Sequence, residues 1–332
     1  MNVLISLATV VVLFLAGLVG AVVGLQAVFG IVIPYLAVAL FLGGLVYQVM
    51  KWADIPVPFR IPTTCGQAKS LPWIKRSRLE SPFTALDVAG RMFLEVLAFR
   101  SLLRNTRAEL REDGRPVYGT ALGLWAGALA FHWTMLAILV RHLRFFTQPV
   151  PFFITFLQEA DGVLEVGAPV FFVTSFVFLA ALAYLLARRL TIPQVRYISL
   201  ANDYFPLFLL LGIGVSGVWL RHLTKTDITE VKELVVGLAT FRPSLMAAKG
   251  IASLFYGHLF LVCVLLAYFP FSKLLHAPGV FLSPTRNLAN NNRAVRHVNP
   301  WDYPVKTHSY AEYEDEWRDK MKVAGVPVDK DK

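Results

Sequence analysis

Seven histidines occur in this 332-residue chain, and four of them sit where an ionisable side chain is costly, inside or beside long apolar runs. His132 and His142 are ten residues apart in one run; His258 and His276 are eighteen apart, on and just beyond another. Imidazoles in such a setting ligate metal, relay protons or hydrogen-bond a neighbouring helix. A low-spin haem takes two axial ligands from opposite faces of its ring, and side chains on facing helices supply them naturally. If the two runs are antiparallel helices, His142 meets His258 at one end and His132 meets His276 at the other, giving two bis-histidine haem sites. Ten residues rise roughly 15 Å and eighteen roughly 27 Å. Tilt and the break imposed by Pro270 must absorb the difference. A lone buried histidine serves equally well as a hydrogen-bonding link between helices, but four in matched pairs ask for more. His222, at the end of a further run, is read as interfacial, and His297 and His308 as solvated in a polar tail.

The elements that must position these residues are membrane helices. Hydrophobic residues make up 56% of the chain, above the roughly 45 to 50% of ordinary soluble domains. The excess forms runs at about Val3 to Gln26, Gly30 to Met50, Gly119 to Val140, Val166 to Leu186, Tyr204 to Leu220 and Ile251 to Phe269, each near the about 20 residues that a span needs. The expected fold is therefore an all-α integral membrane bundle of about six transmembrane helices. Residues 1 to 50 carry no charged side chain and are too long for one span, so the chain should reverse near Phe29-Gly30. Met1-Asn2 lacks the basic start of a cleaved leader, so the first run should stay in the membrane.

Charge sets the expected orientation. Twelve Lys and Arg lie between Lys51 and Val117, against two from Arg141 to Glu165. The positive-inside rule then puts both termini and the 51 to 117 segment in the cytoplasm, at the cytoplasmic membrane, with the 221 to 250 connection outside despite its five basic residues. The net charge of +10 thus reflects membrane orientation rather than nucleic-acid binding. The only cysteines, Cys65 and Cys263, form neither a cluster motif nor a c-type haem motif. Within 51 to 117 the sequence suggests an extended Pro-rich part and then an amphipathic helix from about Ser81 to Leu110. Leu86, Phe93, Leu97 and Leu103 would share one face, with Arg91, Arg100, Arg104 and Arg107 elsewhere. Such a helix suits the membrane interface or a docking partner. The tail should be polar, with a short helix near Tyr310 to Met321.

Phe131-His132, His142, Arg188-Arg189-Leu190 with Pro193 and Val195-Arg196, and Gly257-His258 through Pro270-Phe271-Ser272-Lys273-Leu274-Leu275-His276 together resemble the haem b gamma subunits of respiratory nitrate reductases. The resemblance implies a five-helix cytochrome b core with one added N-terminal helix. The divisions would be 1 to 28 for that helix, 29 to 50 for the first core helix, 51 to 117 for a cytoplasmic insertion, 118 to 276 for the dihaem region and 277 to 332 for a tail. It implies two haem b, with His132 and His276 on the inner and His142 and His258 on the outer, and quinol oxidation near the outer one. Arg141, Arg144 and Arg221 become candidate propionate or quinone contacts. Asp161 and Glu165, standing where relatives carry a basic residue, become candidate proton acceptors. The segment Pro58-Phe59-Arg60-Ile61-Pro62-Thr63-Thr64-Cys65-Gly66-Gln67 is similar to one branch, the M subunits of the DsrMKJOP complexes of dissimilatory sulfur metabolism. That branch implies menaquinone, a cytoplasmic iron-sulfur partner of heterodisulfide-reductase (DsrK) type, a second membrane subunit and a multihaem c-type cytochrome. A gamma-type subunit of a nitrate or heterodisulfide reductase is an alternative, and a proton-coupled transporter is one of another class.

Overall fold

The computed structural model describes residues 1–55, 66–104, 106–163, 169–292, 294–296 and 306–329. Six helices among them are long and apolar enough to cross a membrane, covering Asn2–Val22, Val28–Ala53, Leu122–Phe145, Val173–Thr191, Ala201–Thr224 and Ser253–Phe271. Their outward faces carry exposed Leu, Val and Phe side chains, as expected of helices solvated by lipid.

Helix α1 (Asn2–Val22) turns Ser6, Val10, Gly17, Gly20 and Ala21 inward and leaves Leu4, Val12 and Val22 outside. The chain reverses at Val23 to Gln26, where Gly24 has φ +92, a left-handed conformation open to glycine without strain. This reversal is several residues before the expected Phe29-Gly30. A π-helical turn over Val28–Val32 then leads into α2 (Ile33–Ala53).

The expected helix from Ser81 to Leu110 is broken in two. Its first part, α3 (Ala85–Ala98), ends at Phe99, a non-glycine residue at φ 49, and α4 (Arg100–Leu103) continues in a new direction. A hairpin of β1 (Thr106–Leu110) and β2 (Pro116–Thr120) follows. The faces of α3 are also reversed relative to a soluble amphipathic helix: Asp87, Arg91 and Glu95 are buried, whereas Leu86 is 75% and Phe93 63% exposed. The inward charges are matched. Asp87 binds Arg76 and Arg78, each at 3.0 Å, and closes a capping box with Thr84. Glu80 takes Arg100 and Arg104, and Glu95 takes Arg286 at 3.3 Å. The Pro-rich stretch 56 to 65, with Cys65, lies outside the described residues.

The second half begins with α5 (Leu122–His142), then α6 (Phe152–Asp161). A two-residue ladder joins β3 (Gly162–Val163) to β4 (Phe171–Phe172). The fourth span, α7 (Val173–Thr191), therefore starts later than the expected Val166, because Phe171 and Phe172 pair as a strand. Next come α8 (Pro193–Ile198), α9 (Ala201–Trp219), α10 (Ile228–Ala239), α11 (Leu245–Gly250) and α12 (Ser253–Tyr268). Beyond it lie α13 (His276–Leu282), α14 (Pro284–Asn287) and α15 (Tyr310–Val323), the last matching the expected tail helix.

Helix α12 is the hub, packing on α1, α2 and α9, while α5 packs on α7 and α7 on α9. Among the described residues no comparable packing joins α5 to α12, so the two histidine carriers are held in register through α7 and α9. Although the sequence set α1 apart as an addition, it sits against both α9 and α12. A Cβ on Gly17 would fall 2.6 Å from the Tyr256 carbonyl and 3.1 Å from Gly257 Cα, so the two backbones touch, as small residues allow in membranes. Ser6 Oγ donates to Ala201 O at 3.1 Å, which puts the starts of α1 and α9 at the same end.

Candidate functional site

The first and last of the four histidines, His132 and His276, come together. Their ring centres are 6.0 Å apart and their planes 79° apart. His132 stands in mid α5; His276 does not continue α12, because the helix stops at Tyr268 and two tight turns intervene, with Ser272 extended at φ −129. Pro270 cannot donate a backbone hydrogen bond, and the chain leaves the helix there. The mismatch between ten and eighteen residues disappears, since His276 is no longer bound to the rise of α12. At the other end, His142 closes α5 and stands within electrostatic reach of His258 on α12.

All four rings are oriented through the same atom. Nδ1 of His132 contacts Ala128 O, that of His142 Ile138 O and that of His276 Lys273 O, each at 2.7 Å. A carbonyl only accepts, so each of these nitrogens carries the proton. His258 Nδ1 contacts Ser216 Oγ at 2.9 Å, and that hydroxyl gives its own proton to Gly212 O at 2.6 Å. With the hydroxyl proton on that carbonyl, His258 donates from Nδ1 as well. In each neutral ring the lone pair is left on Nε2, which makes no hydrogen bond among the described residues. Fixing the tautomer through the distal N–H is how proteins prepare imidazole ligands.

This donor set fits a haem iron. Two metal–nitrogen bonds of about 2 Å, plus the distance from each Nε2 to its ring centre, require centres roughly 6 Å apart. The His132 and His276 rings already have that spacing. Gly217, next to Ser216, leaves room beside His258: a Cβ there would press on its Cε1 at 3.3 Å.

Charged residues near His142 form a compact network. Arg141 donates to Asp161 Oδ2 at 2.6 Å and to Ser175 Oγ at 3.2 Å. Asp161 also accepts from Thr174 N at 2.9 Å and Thr174 Oγ1 at 2.6 Å. Arg141 and Arg221 lie over the Phe172 ring at 3.9 and 4.3 Å, and Arg221 Nε donates to Val170 O at 3.0 Å. Among the described residues Arg144 reaches only Gln158, at 3.4 Å. Asp161 and Arg141 thus hold α5 to the start of α7, a role that the sequence did not reveal. Glu165 lies outside the described residues, as does His297. His222 stacks on Phe171 with centres 4.3 Å apart and planes 8° apart, and its buried Nδ1 has no partner among the described residues. Phe171 also lines an open apolar depression with Val163, Val173, Phe176 and Val177.

Several residues that complete the site escaped sequence reasoning. Ser216 was visible as a hydroxyl in an apolar helix but had no assigned partner. Asp203 is the second: it binds Lys273 at 2.5 Å and Arg189 at 3.9 Å, so the Arg188-Arg189-Leu190 and Pro270 to His276 motifs meet on one carboxylate. The third is Phe99, whose ring lies edge-on to His132 with centres 4.9 Å apart; no sequence pattern marks it.

Comparison with known proteins agrees with this architecture. Residues 119–297 match the family described as nitrate reductase gamma subunit. The chain is 47% identical over 280 residues to the Hdr-like menaquinol oxidoreductase cytochrome b-like subunit of Archaeoglobus fulgidus, covering 83% of each chain. It is 41% identical over 275 residues to the protein of the same description from Archaeoglobus profundus, covering 81% of each. A shared family region that contains all four paired histidines, and relatives aligned along most of their length, lead to one assignment: this six-helix chain belongs to the nitrate reductase gamma subunit family.

Proposed function

We propose that the chain is the quinol-reactive membrane subunit of an oxidoreductase complex and holds two haem b, one between His132 and His276 and one between His142 and His258. The observation that carries this reading is the common preparation of four histidines, each with Nδ1 spent on an acceptor and Nε2 bare. Nothing in ordinary helix packing requires that pattern four times. Haem b supplies one-electron storage at each site. The chain's own contribution is to fix ligand tautomers, hold α5 and α12 apart, and keep water from the sites with apolar side chains.

The relatives' name supports menaquinol as the reductant, and the end bearing His142, Arg141, Arg144 and Arg221 is the proposed place of its oxidation. Quinol gives up two protons with its two electrons, so a base must stand within hydrogen-bond reach. Asp161 is engaged by Arg141 and Thr174, which leaves Glu165 as the first residue to test. Arg144, with one long contact, is the best placed of the arginines for a propionate or quinone oxygen. The Lys- and Arg-rich end, with both termini, is assigned to the cytoplasm. There an iron-sulfur subunit of heterodisulfide-reductase type exchanges electrons with the chain. The sequence likeness of the 58 to 67 segment to Dsr M subunits supports a DsrMKJOP-type assembly, with its second membrane subunit and multihaem c-type cytochrome.

Purification with the attached partners tests the proposal. Wild-type protein should give about two haem b per chain. His132→Ala and His276→Ala should each remove the same haem, and His142→Ala and His258→Ala the other. Colourless wild-type protein, or crossed losses, would overturn it.

A further inference from the structure

Phe99 occupies a backbone conformation that its side chain does not favour, at φ 49 and ψ 46. A bulky residue in the left-handed region is a true outlier, and such strain persists only where the surroundings over-determine it. Here they do. The carbonyls of the two preceding residues are held by indoles of α5: Trp125 Nε1 donates to Ala98 O at 2.7 Å and Trp133 Nε1 to Leu97 O at 3.0 Å. Beyond the turn, Ser101 N donates to Glu95 at 3.1 Å and Arg100 pairs with Glu80. Glu95 in turn binds Arg286, ten residues after His276. The break between α3 and α4 is therefore tied both to the helix that carries His132 and to the segment that follows His276.

Its product is the position of one ring. Phe99 meets His132 edge-on, at 4.9 Å and 88°, while Phe131 contacts it from another side at 4.7 Å and 72°. With Nδ1 on Ala128 O, the imidazole cannot turn freely about the axis through Nε2. The plane of His132 is thus held 79° from that of His276.

Resting on the haem assignment above, we propose that Phe99 is a positioning residue that locks the His132 plane nearly perpendicular to that of His276 and thereby sets the electronic character of the inner haem. The orientation of the axial imidazole planes sets the splitting of the two iron d orbitals of π symmetry, because each imidazole π system, perpendicular to its ring plane, overlaps one of them. Perpendicular planes bring these orbitals close in energy, which gives a low-spin ferric signal of high g anisotropy. Parallel planes split them and give a conventional rhombic signal. Phe99 also screens the site with apolar bulk, which favours the neutral reduced form over the charged ferric one.

The test uses the full chain, purified with its partners, and compares Phe99→Ala, Phe99→Gly and Phe99→Tyr by low-temperature EPR and by redox titration of the visible bands. His132→Ala identifies the inner signal. Glycine suits φ 49, so Phe99→Gly removes the ring without penalising the turn. The expected result in the Ala and Gly variants is full haem loading, a shift of the inner signal from high to lower g anisotropy and a lower inner midpoint potential. The outer signal should not move, and Phe99→Tyr should restore the wild-type spectrum. Haem-loaded Phe99→Gly with an unchanged inner signal and potential would overturn the proposal while leaving the haem assignment standing. A wild-type preparation without haem, or His132→Ala retaining both signals, would overturn the assignment beneath it.

Discussion

Asp203 and Lys273, seventy residues apart, form a 2.5 Å ion pair, and the carbonyl of that same lysine accepts the Nδ1 proton of His276 at 2.7 Å. One residue therefore connects the start of α9 to the orientation of a proposed ligand. Asp203 also accepts from Leu200 N at 3.0 Å and stands 3.9 Å from Arg189. The family motif that ends in His276 is in this light a tether: it fixes where the chain goes after α12 stops.

Asp203→Asn keeps the shape and removes the charge. Hydrogen bonds to charged groups are worth roughly 1.5–3 kcal/mol, but Lys273 is 80% exposed, so solvent screening reduces the expected loss to about 1 kcal/mol. The larger effect should be local: His276 becomes less well oriented, and the haem proposed between it and His132 should be lost first on mild heating. Absorbance of the two haems during thermal unfolding checks this. Equal loss of both would show that the tether acts only on overall stability.

Ser216→Ala should deprive His258 Nδ1 of its acceptor in a water-poor site. Leaving such a group unsatisfied costs about 1–3 kcal/mol, and loss of a ligand's supporting hydrogen bond typically lowers metal affinity about 10–100-fold. The haem proposed between His142 and His258 should then be under-occupied while the other remains. Haem quantification of the variant, with Ser216→Thr as the conservative control, is the measurement.

Gly17→Leu and Gly257→Leu should each force α1 from α12, since a Cβ on Gly17 already meets Tyr256 O at 2.6 Å and one on Gly257 meets the Phe14 ring at 2.7 Å. Overpacking of this kind costs about 1–3 kcal/mol or more. Because Gly257 precedes His258, the displacement should lower occupancy of the His142 and His258 site as well. The leucine variants can be compared in detergent stability and haem content with Gly43→Leu, where a Cβ would meet nothing within 4 Å.

Acid should loosen α3 from its neighbours. Burial raises the Asp87 carboxyl, but hydrogen bonds from Thr84, Arg78 and the Phe83 backbone outweigh it and hold the group down at about 2, against an ordinary value of 3.8. A depressed folded value means that the stabilisation is complete above about pH 4 and lost as pH falls towards about 2, amounting to order 2 kcal/mol. Limited proteolysis of the 66 to 104 segment should accelerate over that range in the wild type. Asp87→Asn should already be sensitive at neutral pH and show little further change.

The six spans, the candidate histidine ligands and the break at Pro270 were legible in the sequence because each rests on local chemistry: apolar length, the cost of a buried imidazole, a missing N–H. The register of α5 on α12 was legible only as a pairing rule. What the rule could not supply was the means of enforcing it, which comes from Ser216 on α9, Gly17 on α1 and the Asp203–Lys273 pair, all brought from other elements. For α3 the sequence suggested an apolar face free for the membrane interface or a partner, and Leu86 and Phe93 are exposed; what it did not show was the break at Phe99 or the buried charges of the opposite face. Those charges are inside because Arg76, Arg78 and Arg286 are there to meet them.

By itself the sequence determined that this protein lives in a membrane and singled out the four histidines proposed as ligands, since transfer of apolar and ionisable groups between water and lipid depends mainly on residue type. Tertiary structure alone decided that α1 is part of the core, that four imidazoles share one tautomer, and that Phe99 reaches His132. Those outcomes depend on distances between segments far apart in the chain, and a hydrogen bond or a ring contact exists only where packing brings its two halves within a few ångströms.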